Sequence, residues 1–168
     1  MNMAAYEKDL RDLIIKDKIR ESLNLSAFLY DGPPGKSDRQ KWAETCFTKN
    51  IILRIYMSDG ALDREAHGRD GLLREFGAGL DTERHAKRHF KQGVVFDELS
   101  EDVVKTRTAA LAIVSSREHT VPFFRGGGSV PLEAHLITYH DTWKVEDGLW
   151  KKDLSELYYD SGPYGLND

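Results

Sequence analysis

Asp31 and His89 are far apart in the sequence, but together they have the functional groups of a carboxylate–imidazole pair. In such a pair the carboxylate fixes the imidazole tautomer and raises its basicity, so the histidine can remove a proton from carbon or oxygen of a bound molecule. Tyr30 and Tyr56 carry hydroxyl groups that can polarise a carbonyl or hold a water molecule. If these residues face one cavity, general-base chemistry is expected there; if they do not meet, they are structural or exposed residues.

The other histidines and the single cysteine do not have the spacing of a metal site. A zinc site needs three or four converging ligands. His85 and His89 are four residues apart, His135 and His140 are five apart, and Cys46 stands alone. We therefore expect no metal.

The segment at residues 32–37, GPPGKS, ends in the Gly-Lys-Ser of a phosphate-binding loop. That loop also needs an earlier glycine, separated from Gly35 by four residues, and it follows a buried strand. The required position is Tyr30, and the preceding segment has the pattern of a helix. The segment is therefore expected to be a surface loop and not a nucleotide site.

Helical periodicity is concentrated in the first half of the chain, and strand alternation dominates the second. The predicted helices cover residues 6–29, a segment capped by Ser37 or Asp38 that ends at Cys46, and residues 69–80. The predicted strands cover residues 51–57, 87–99 and 103–117, with a loop at 58–67. Helices followed by long antiparallel strands predict an α+β fold, here as one domain over residues 1–168.

Residues 133–160 contain two extended runs that flank Asp147-Gly148, which predicts a hairpin because glycine tolerates the positive φ of a tight turn. Neither face of the first run is plainly polar, so the sheet is expected to be covered on both sides. In the strand at 87–99, the alternation places His89 and Lys91 on one face and Phe90 and Phe96 on the other. We predict a strongly curved sheet that wraps a pocket, with the three-glycine segment 120–131 as a lid or rim.

The composition limits the classes of partner. The formal net charge is -4 and no extended basic face is visible, which argues against nucleic acid and anionic membranes. The N-terminal residues do not have the pattern of a signal peptide, and no window is long and apolar enough to span a bilayer. The lone Cys46 fits a reducing compartment, so a cytoplasmic protein is expected. The predicted pocket indicates a small-molecule substrate.

Several segments carry a family resemblance: Tyr30-Asp31 at a helix end, LRIY at 53–56, HFKQG at 89–93 with LSEDVV at 99–104, and KVEDGLWK at 144–151. These segments resemble the scytalone dehydratase-like proteins of the SnoaL-like, or nuclear transport factor 2-like, superfamily. The last segment is typical of the superfamily, and the tyrosine–aspartate step with the strand histidine is typical of its dehydratase and dehydrohalogenase branch. The resemblance implies a cone-shaped α+β barrel with a deep pocket and neither metal nor organic cofactor.

Transferred residue by residue, the resemblance implies catalytic roles for four side chains. His89 would be the base and Asp31 its partner, while Tyr30 and Tyr56 would hold a water molecule against the substrate carbonyl.

The sequence also departs from the family pattern. The second catalytic histidine of the family falls near Ile113 or Val114, its pocket asparagine falls at about Tyr139, and the loop after Asp31 is longer here. These departures imply a one-base elimination or isomerisation and not action on scytalone itself. The candidate substrate-binding residues are Tyr139, His135, Ile113 and Phe76.

The leading hypothesis is a cofactor-free lyase or isomerase that acts on a small, apolar, carbonyl-bearing molecule. One alternative is a non-catalytic ligand-binding module on the same fold, and another is the small structural subunit of a ring-hydroxylating dioxygenase. Long strands that are apolar on both faces also predict a homo-oligomer, and the resemblance implies a trimer or a dimer.

Overall fold

The computed structural model describes residues 3–31, 38–76, 84–116, 132–160 and 164–165. These residues form three helices, α1 (Met3–Tyr30), α2 (Arg39–Cys46) and α3 (Gly68–Phe76). They also form seven strands: β1 (Phe47–Tyr56), β2 (Leu62–His67), β3 (Arg84–Leu99), β4 (Val103–Ser116), β5 (Leu132–Glu146), β6 (Leu149–Tyr159) and β7 (Tyr164–Gly165). The predicted α+β class is confirmed.

The strands join in one mixed sheet, in the order β2-β1-β6-β5-β4-β3, with β7 paired to β5. The strands from β3 to β6 pair antiparallel in chain order, β2 pairs antiparallel with β1, and β1 lies parallel to β6. The sheet is curved but not closed, and the helices lie against it, which is the cone-shaped arrangement that was predicted.

The hairpin of β5 and β6 is built as its sequence predicts. Asp147 and Gly148 both have positive φ values, 56° and 75°, and they connect the paired residues Glu146 and Leu149. Positive φ at both central positions gives a turn whose twist matches that of the flanking strands. The long antiparallel arms then carry Tyr139, on β5, into the interior.

Helix α1 packs on the sheet through its second half. Ile15, Ile19 and Leu23 repeat every four residues and are buried in a cluster with Trp143 and Trp150. The apolar residues of the first half are exposed instead, among them Leu10, Leu13 and Ile14. The helical spacing of apolar residues predicted helix α1, but it did not predict that the sheet would cover only the second half of the helix. None of the described helices is long and apolar enough to cross a membrane.

Helix α2 begins where predicted, since the side chain of Asp38 caps it by accepting a hydrogen bond from the backbone N–H of Lys41 at 2.8 Å. Trp42 and Cys46 of this helix are buried in a second cluster, together with Phe47 and Phe76. This cluster lies between α2, α3 and the sheet, beside the cavity described below.

The prediction of a loop at residues 58–67 is wrong over β2. Leu62–His67 pairs antiparallel with β1, although only Ala66 of the strand is buried. A strand whose side chains are nearly all exposed shows no apolar alternation, so backbone pairing forms it without a pattern in the sequence. The segments at 77–80 and 120–131, including the proposed lid, lie outside the described residues.

The alternation along β3 changes at Gly93. The pairing with β4 shifts register between Gln92 and Val94, where Gly93 has a φ of 58°. Beyond this bulge Val94 and Phe96 pack against the buried cluster of α1, while Val95 is exposed. His89 and Phe96, predicted to occupy opposite faces, therefore both face the helices, because a bulge reverses the alternation.

Candidate active site

A cavity of about 180 Å³ lies between the three helices and the inner face of the sheet. Its apolar wall includes Trp42, Phe47, Leu53, Ile55, Phe76 and Ile137. Its polar wall includes Tyr30, His89, Lys91, Tyr139, Lys152 and Ser155. An apolar pocket with a few converging polar groups is the usual form of a small-molecule site.

Asp31 and His89 meet beside this cavity through two hydrogen bonds. Nδ1 of His89 lies 2.8 Å from Oδ1 of Asp31, and the backbone N–H of His89 donates to Oδ2 at 2.6 Å. The side chains are 2% exposed for Asp31 and 8% exposed for His89, so water hardly competes for these bonds. The structure therefore brings the two side chains into contact beside the cavity.

The local structure explains how Asp31 reaches β3. Asp31 follows the last residue of α1, and its own N–H donates to Ala27 O at 2.8 Å, which continues the helical geometry by one residue. The side chain of Arg88 donates a hydrogen bond to Asp31 O, so the helix end is tied to β3 on its backbone side as well. Among the described strands, β3 lies at one edge of the sheet. A backbone N–H group on this edge, that of His89, is therefore available to donate a hydrogen bond to the Asp31 carboxylate.

These contacts favour one tautomer of His89. Oδ2 of Asp31 accepts a hydrogen bond from the backbone N–H of His89, and Oδ1 faces Nδ1 of the ring. With Oδ1 as the acceptor, Nδ1 carries the shared proton and Nε2 is the basic nitrogen of the ring. Because His89 lines the cavity, the ring is placed to act as a general base on a molecule inside it.

Tyr30 stands next to this pair. Its ring lies 5.8 Å from the ring of His89 and 4.6 Å from the ring of Trp42, and the guanidinium of Arg39 lies 3.7 Å from its centroid. Burial raises the pKa of the Tyr30 phenol, and the nearby Arg39 opposes this effect. The hydroxyl is therefore retained as a hydrogen-bond donor, the form that can stabilise a developing oxyanion.

Tyr139 and Phe76, two of the predicted substrate-binding residues, line the cavity. Burial raises the pKa of Tyr139 well above its usual value, with Asp141 adding to the effect. The Nζ atoms of Lys91 and Lys152 lie 5.5 Å and 5.1 Å from the centroid of its ring. Tyr139 thus remains neutral between two basic side chains.

The structure does not bring Tyr56 to the cavity. Leu53 and Ile55 of β1 line it, so Tyr56 projects to the opposite face. There its ring stacks on Tyr158 at 4.7 Å and its hydroxyl lies 3.4 Å from Glu156 Oε1. The prediction that Tyr56 faces the cavity is therefore wrong, because side chains alternate along β1 and its neighbour Ile55 faces the cavity.

Ile113 and His135 do not line the cavity either. On β4 the even-numbered residues such as Ala110 and Ala112 are buried, which leaves Ile113 on the outer face. His135 is on the inner face of β5, but its ring contacts Tyr159 at 5.4 Å, and Tyr159 is the residue that lines the cavity. His135 therefore lies behind the wall and not in it.

A buried ion pair that the sequence did not reveal supports the cavity floor. Lys152 Nζ lies 2.7 Å from Asp141 Oδ2, and Ser155 donates to Asp141 Oδ1 at 2.6 Å. Asp141 shares the inner face of β5 with Tyr139. A buried carboxylate needs a cationic or hydrogen-bonding partner, so its place on a buried face was the only sign of this ion pair in the sequence. Lys91 was likewise indicated by its position two residues after His89, which places both on one face.

No group of three or more histidine, cysteine, aspartate or glutamate side chains converges within the described ranges in a way that could hold a metal ion. Cys46 is buried, and its burial raises the pKa of the thiol, so it has the character of a packed core residue.

Comparison with known proteins agrees with this architecture. The sequence profile of the SnoaL-like domain matches residues 11–153. The type 2 hexachlorocyclohexane dehydrochlorinase LinA superposes with a TM-score of 0.71 at 16% identity, over 94% of this chain and 94% of that chain. A scytalone dehydratase-like protein from Novosphingobium aromaticivorans DSM 12444 gives 0.70 at 18% identity, over 93% and 90%.

A third similar structure, described as the beta subunit of an aromatic-ring-hydroxylating dioxygenase from the same organism, gives a TM-score of 0.70 at 12% identity, over 89% of this chain and 92% of that chain. No curated protein sequence matches significantly. At these identities the similarities show a shared fold, and the three proteins are named for different activities.

Proposed function

This chain belongs to the SnoaL-like domain family, and we propose that it is a lyase or isomerase acting on a small apolar molecule that bears a carbonyl group. The observation that carries the proposal is the 2.8 Å contact between Asp31 and His89 beside the cavity that lies between the helices and the sheet. A histidine that is oriented by a buried carboxylate and lines a cavity has the arrangement of a general base. The similar dehydrochlorinase and dehydratase-like structures support the same reaction class.

The proposed reaction begins with proton abstraction. Nε2 of His89 takes a proton from the carbon next to the carbonyl, and the electron pair of that C–H bond moves toward the carbonyl oxygen to form an enolate. The hydroxyl of Tyr30 donates a hydrogen bond to this oxygen, so the charge develops against a fixed donor. Asp31 stabilises the imidazolium that forms on His89.

Two outcomes of the enolate are compatible with one base. In an elimination the carbonyl re-forms, the bond to a leaving group on the β carbon breaks, and the imidazolium gives its proton to a departing hydroxide. In an isomerisation of an unsaturated ketone, the imidazolium returns the proton to a different carbon of the conjugated system. Neither outcome requires a metal or an organic cofactor, because the dyad supplies the base and Tyr30 supplies the oxyanion donor.

The proposal can be tested without knowing the leaving group. Small ketones and enones are incubated with the protein in D₂O, and exchange of their acidic C–H protons is followed by NMR. Exchange by the wild type that is lost in His89→Asn supports the proposal. His140→Asn is the matched control, because His140 is exposed on the outer face of β5. Exchange at equal rates in the wild type and His89→Asn would overturn it.

We also propose that the chain works as a homo-oligomer, a trimer or a dimer. Exposed apolar residues on the first half of α1, including Met3, Tyr6 and Leu10, form one stripe that no described segment of the chain covers. A second such row crosses the outer face of the sheet, where Phe90 pairs with Leu111 and Leu111 with Leu136. Surfaces of this kind are ordinarily contact sites.

The apolar stripe on α1 and the apolar row on the sheet also favour a second candidate function, that of a structural subunit or a binding module. A dioxygenase beta subunit is among the similar structures, and a subunit needs a contact face more than a catalytic base. The dyad separates the two candidates. A purely structural role predicts that His89→Asn changes neither proton exchange nor ligand affinity, whereas a binding module predicts a change of affinity without exchange. The cytoplasmic location stays an expectation from the lone, buried Cys46.

A further inference from the structure

Lys91 is the basic side chain that the proposed proton transfer does not use. It follows His89 by two residues on β3, and both side chains line the cavity. Its Nζ lies 3.4 Å from the carbonyl oxygen of Leu23, on α1, and 5.5 Å from the centroid of the Tyr139 ring. Lys91 is therefore held on the cavity wall at a fixed distance from the dyad, about 7 Å for two residues along a strand.

The charges around Lys91 are already paired with one another. Asp31 is engaged with His89, and Asp141 with Lys152, at 2.8 Å and 2.7 Å. Lys91 has no carboxylate within ion-pair distance anywhere in the part of the chain that the structure describes. A charged ammonium group facing an apolar cavity without a counter-ion is unfavourable unless an anion from outside neutralises it.

We propose that Lys91 binds the carboxylate group of the ligand, so that the protein takes small apolar carboxylic acids. The cavity volume, about 180 Å³, suits a ligand built around one ring or a short branched chain. Its apolar body would contact Trp42, Phe76 and Ile137 while the carboxylate meets Lys91. This assignment deepens the proposed function, on which it rests for the use of the cavity as a substrate site.

The separation of Lys91 from His89 also indicates which carbon would react. With the carboxylate at Lys91, the basic nitrogen of His89 would face a carbon a few bonds further along the ligand. A keto acid or an unsaturated acid with its carbonyl at that position would present an acidic C–H bond to the dyad. The proposed reaction then removes or shifts a proton on the acid, and its carboxylate remains unchanged.

The protonation of Lys91 gives the proposal a measurable consequence. Burial, together with the charge of Lys152, lowers the pKa of Lys91 to about 7, although Asp141, Cys46 and Asp31 act in the opposite direction. A bound carboxylate favours the protonated form, so binding is expected to take up a proton near pH 7 and to weaken as the pH rises. His89 faces the same cavity, so its own titration must be separated by a variant.

The test compares phenylacetate with phenylacetamide, which has nearly the same shape and no charge. Binding to the purified full chain is measured by calorimetry or by NMR titration between pH 6 and pH 9. We expect phenylacetate to bind at least tenfold tighter than phenylacetamide at pH 6, and this preference to shrink toward pH 9. In Lys91→Met the preference is lost at every pH, and in Lys91→Arg it is kept and no longer declines between pH 7 and pH 9.

Lys49→Met is the matched control, because Lys49 is exposed on β1 and does not line the cavity. Its preference for phenylacetate should equal that of the wild type, and unfolding curves confirm that each variant is folded. Equal affinity of both compounds for the wild type, a preference that survives in folded Lys91→Met, or no binding of phenylacetate by folded wild type overturns the proposal.

Binding also distinguishes a failure of this inference from a failure of the proposed function. His89→Asn should keep the preference for phenylacetate and its decline above pH 7. If it does while no compound shows proton exchange, the carboxylate site stands and the enzyme hypothesis fails. If exchange is found on neutral ketones and no carboxylate preference exists, the enzyme hypothesis stands and the carboxylate site is wrong.

Discussion

The carboxylate of Asp31 binds His89 twice, accepting one hydrogen bond from its ring and one from its backbone. The second bond fixes the position of the strand, and the first fixes the orientation of the ring. Asp31 itself is fixed by the end of α1, so the helix end and the edge strand β3 position one another. A base that is oriented by both main-chain and side-chain contacts loses little entropy when it reacts.

The first prediction concerns this pair. On any substrate found by the proton-exchange screen, His89→Ala should lower turnover by roughly 10²–10⁴-fold, the usual contribution of a general base. Asp31→Asn should be nearly as harmful, because an amide can hold the ring in the wrong tautomer and cannot stabilise the imidazolium. The rates are measured by NMR on variants shown to be folded by circular dichroism. Full activity in either variant would assign the chemistry to another residue.

The pH dependence of the rate gives a second, independent check. An imidazole base is inactive when protonated, so the rate of the wild type should fall on the acid side of the profile. His89→Gln should have a low rate that no longer shows this acid limb. A profile that keeps its acid limb in His89→Gln would show that a different group is titrating.

Tyr30 and Tyr56 make a matched pair of substitutions. Tyr30→Phe should lower turnover by roughly tenfold or more, because it removes the hydroxyl that would meet the enolate oxygen. Tyr56→Phe should leave turnover unchanged, since its hydroxyl lies near Glu156 on the opposite face of β1. Both rates are measured at saturating substrate, and an equal loss in the two variants would contradict the assignment.

The sequence predicted the parts of the fold that have a strong local pattern. The Asp147-Gly148 turn, the α1 helix and the pairing of Asp31 with His89 all follow from local patterns or from the family resemblance. What it did not determine was which face of a strand turns inward when both faces are apolar. Ile51 and Ile52 are neighbours on β1, so the same sequence fits Tyr56 inside or outside, and the packing of α2 and α3 decides it.

Long-range register explains the remaining differences. The family resemblance places a catalytic histidine near Ile113 or Val114, and Ile113 occupies an outward-facing position of β4 next to the buried Ala112. β2 is exposed and charged, and only its pairing with β1 makes it a strand. Lys91 was visible on the face of His89, but a lysine in an alternating strand is ordinarily solvated, and only the cavity shows that this one is not.

The unusual position of Lys91 also predicts how stability depends on pH. Its folded-state pKa, about 7, is lower than the usual lysine pKa of 10.5. Between these values the unfolded chain binds more protons, so this group makes the free energy of unfolding increase as the pH rises from 7 toward 10. The increase is at most about 1.4 kcal/mol per pH unit, and the part of the side chain that is accessible in the cavity reduces it.

Urea unfolding of the wild type and Lys91→Met, at pH 7 and pH 9, measures this effect. The variant lacks the titrating group, so its stability relative to the wild type should be greatest at pH 7 and smaller at pH 9. A difference between the two proteins that stays constant over this range would mean that Lys91 is protonated throughout.

The buried pair of Asp141 and Lys152 gives a prediction about stability alone. Lys152→Met leaves the carboxylate of Asp141 in a buried place without its cation, and should cost about 3–5 kcal/mol of unfolding free energy. The double variant with Asp141→Asn removes both charges and should recover part of that loss. Chemical unfolding of the two single variants and the double variant measures the coupling, and additive losses would show that the two side chains do not depend on one another.

The last prediction concerns assembly. Leu136 is 46% exposed in the apolar row that crosses the outer face of the sheet, and Leu149 is 50% exposed beside the Asp147-Gly148 turn. If the outer face forms the contact between copies, Leu136→Glu buries a charge in that contact and should convert the oligomer to monomers at micromolar concentration, since an unpaired charge in an interface is costly. Leu149→Glu makes the same chemical change at a similar exposure outside the row, and should leave the assembly intact. Light scattering coupled to gel filtration measures the mass of each protein. A wild type that is already monomeric would contradict the predicted oligomer, and dissociation by Leu149→Glu alone would move the contact from the outer face of the sheet to the hairpin end.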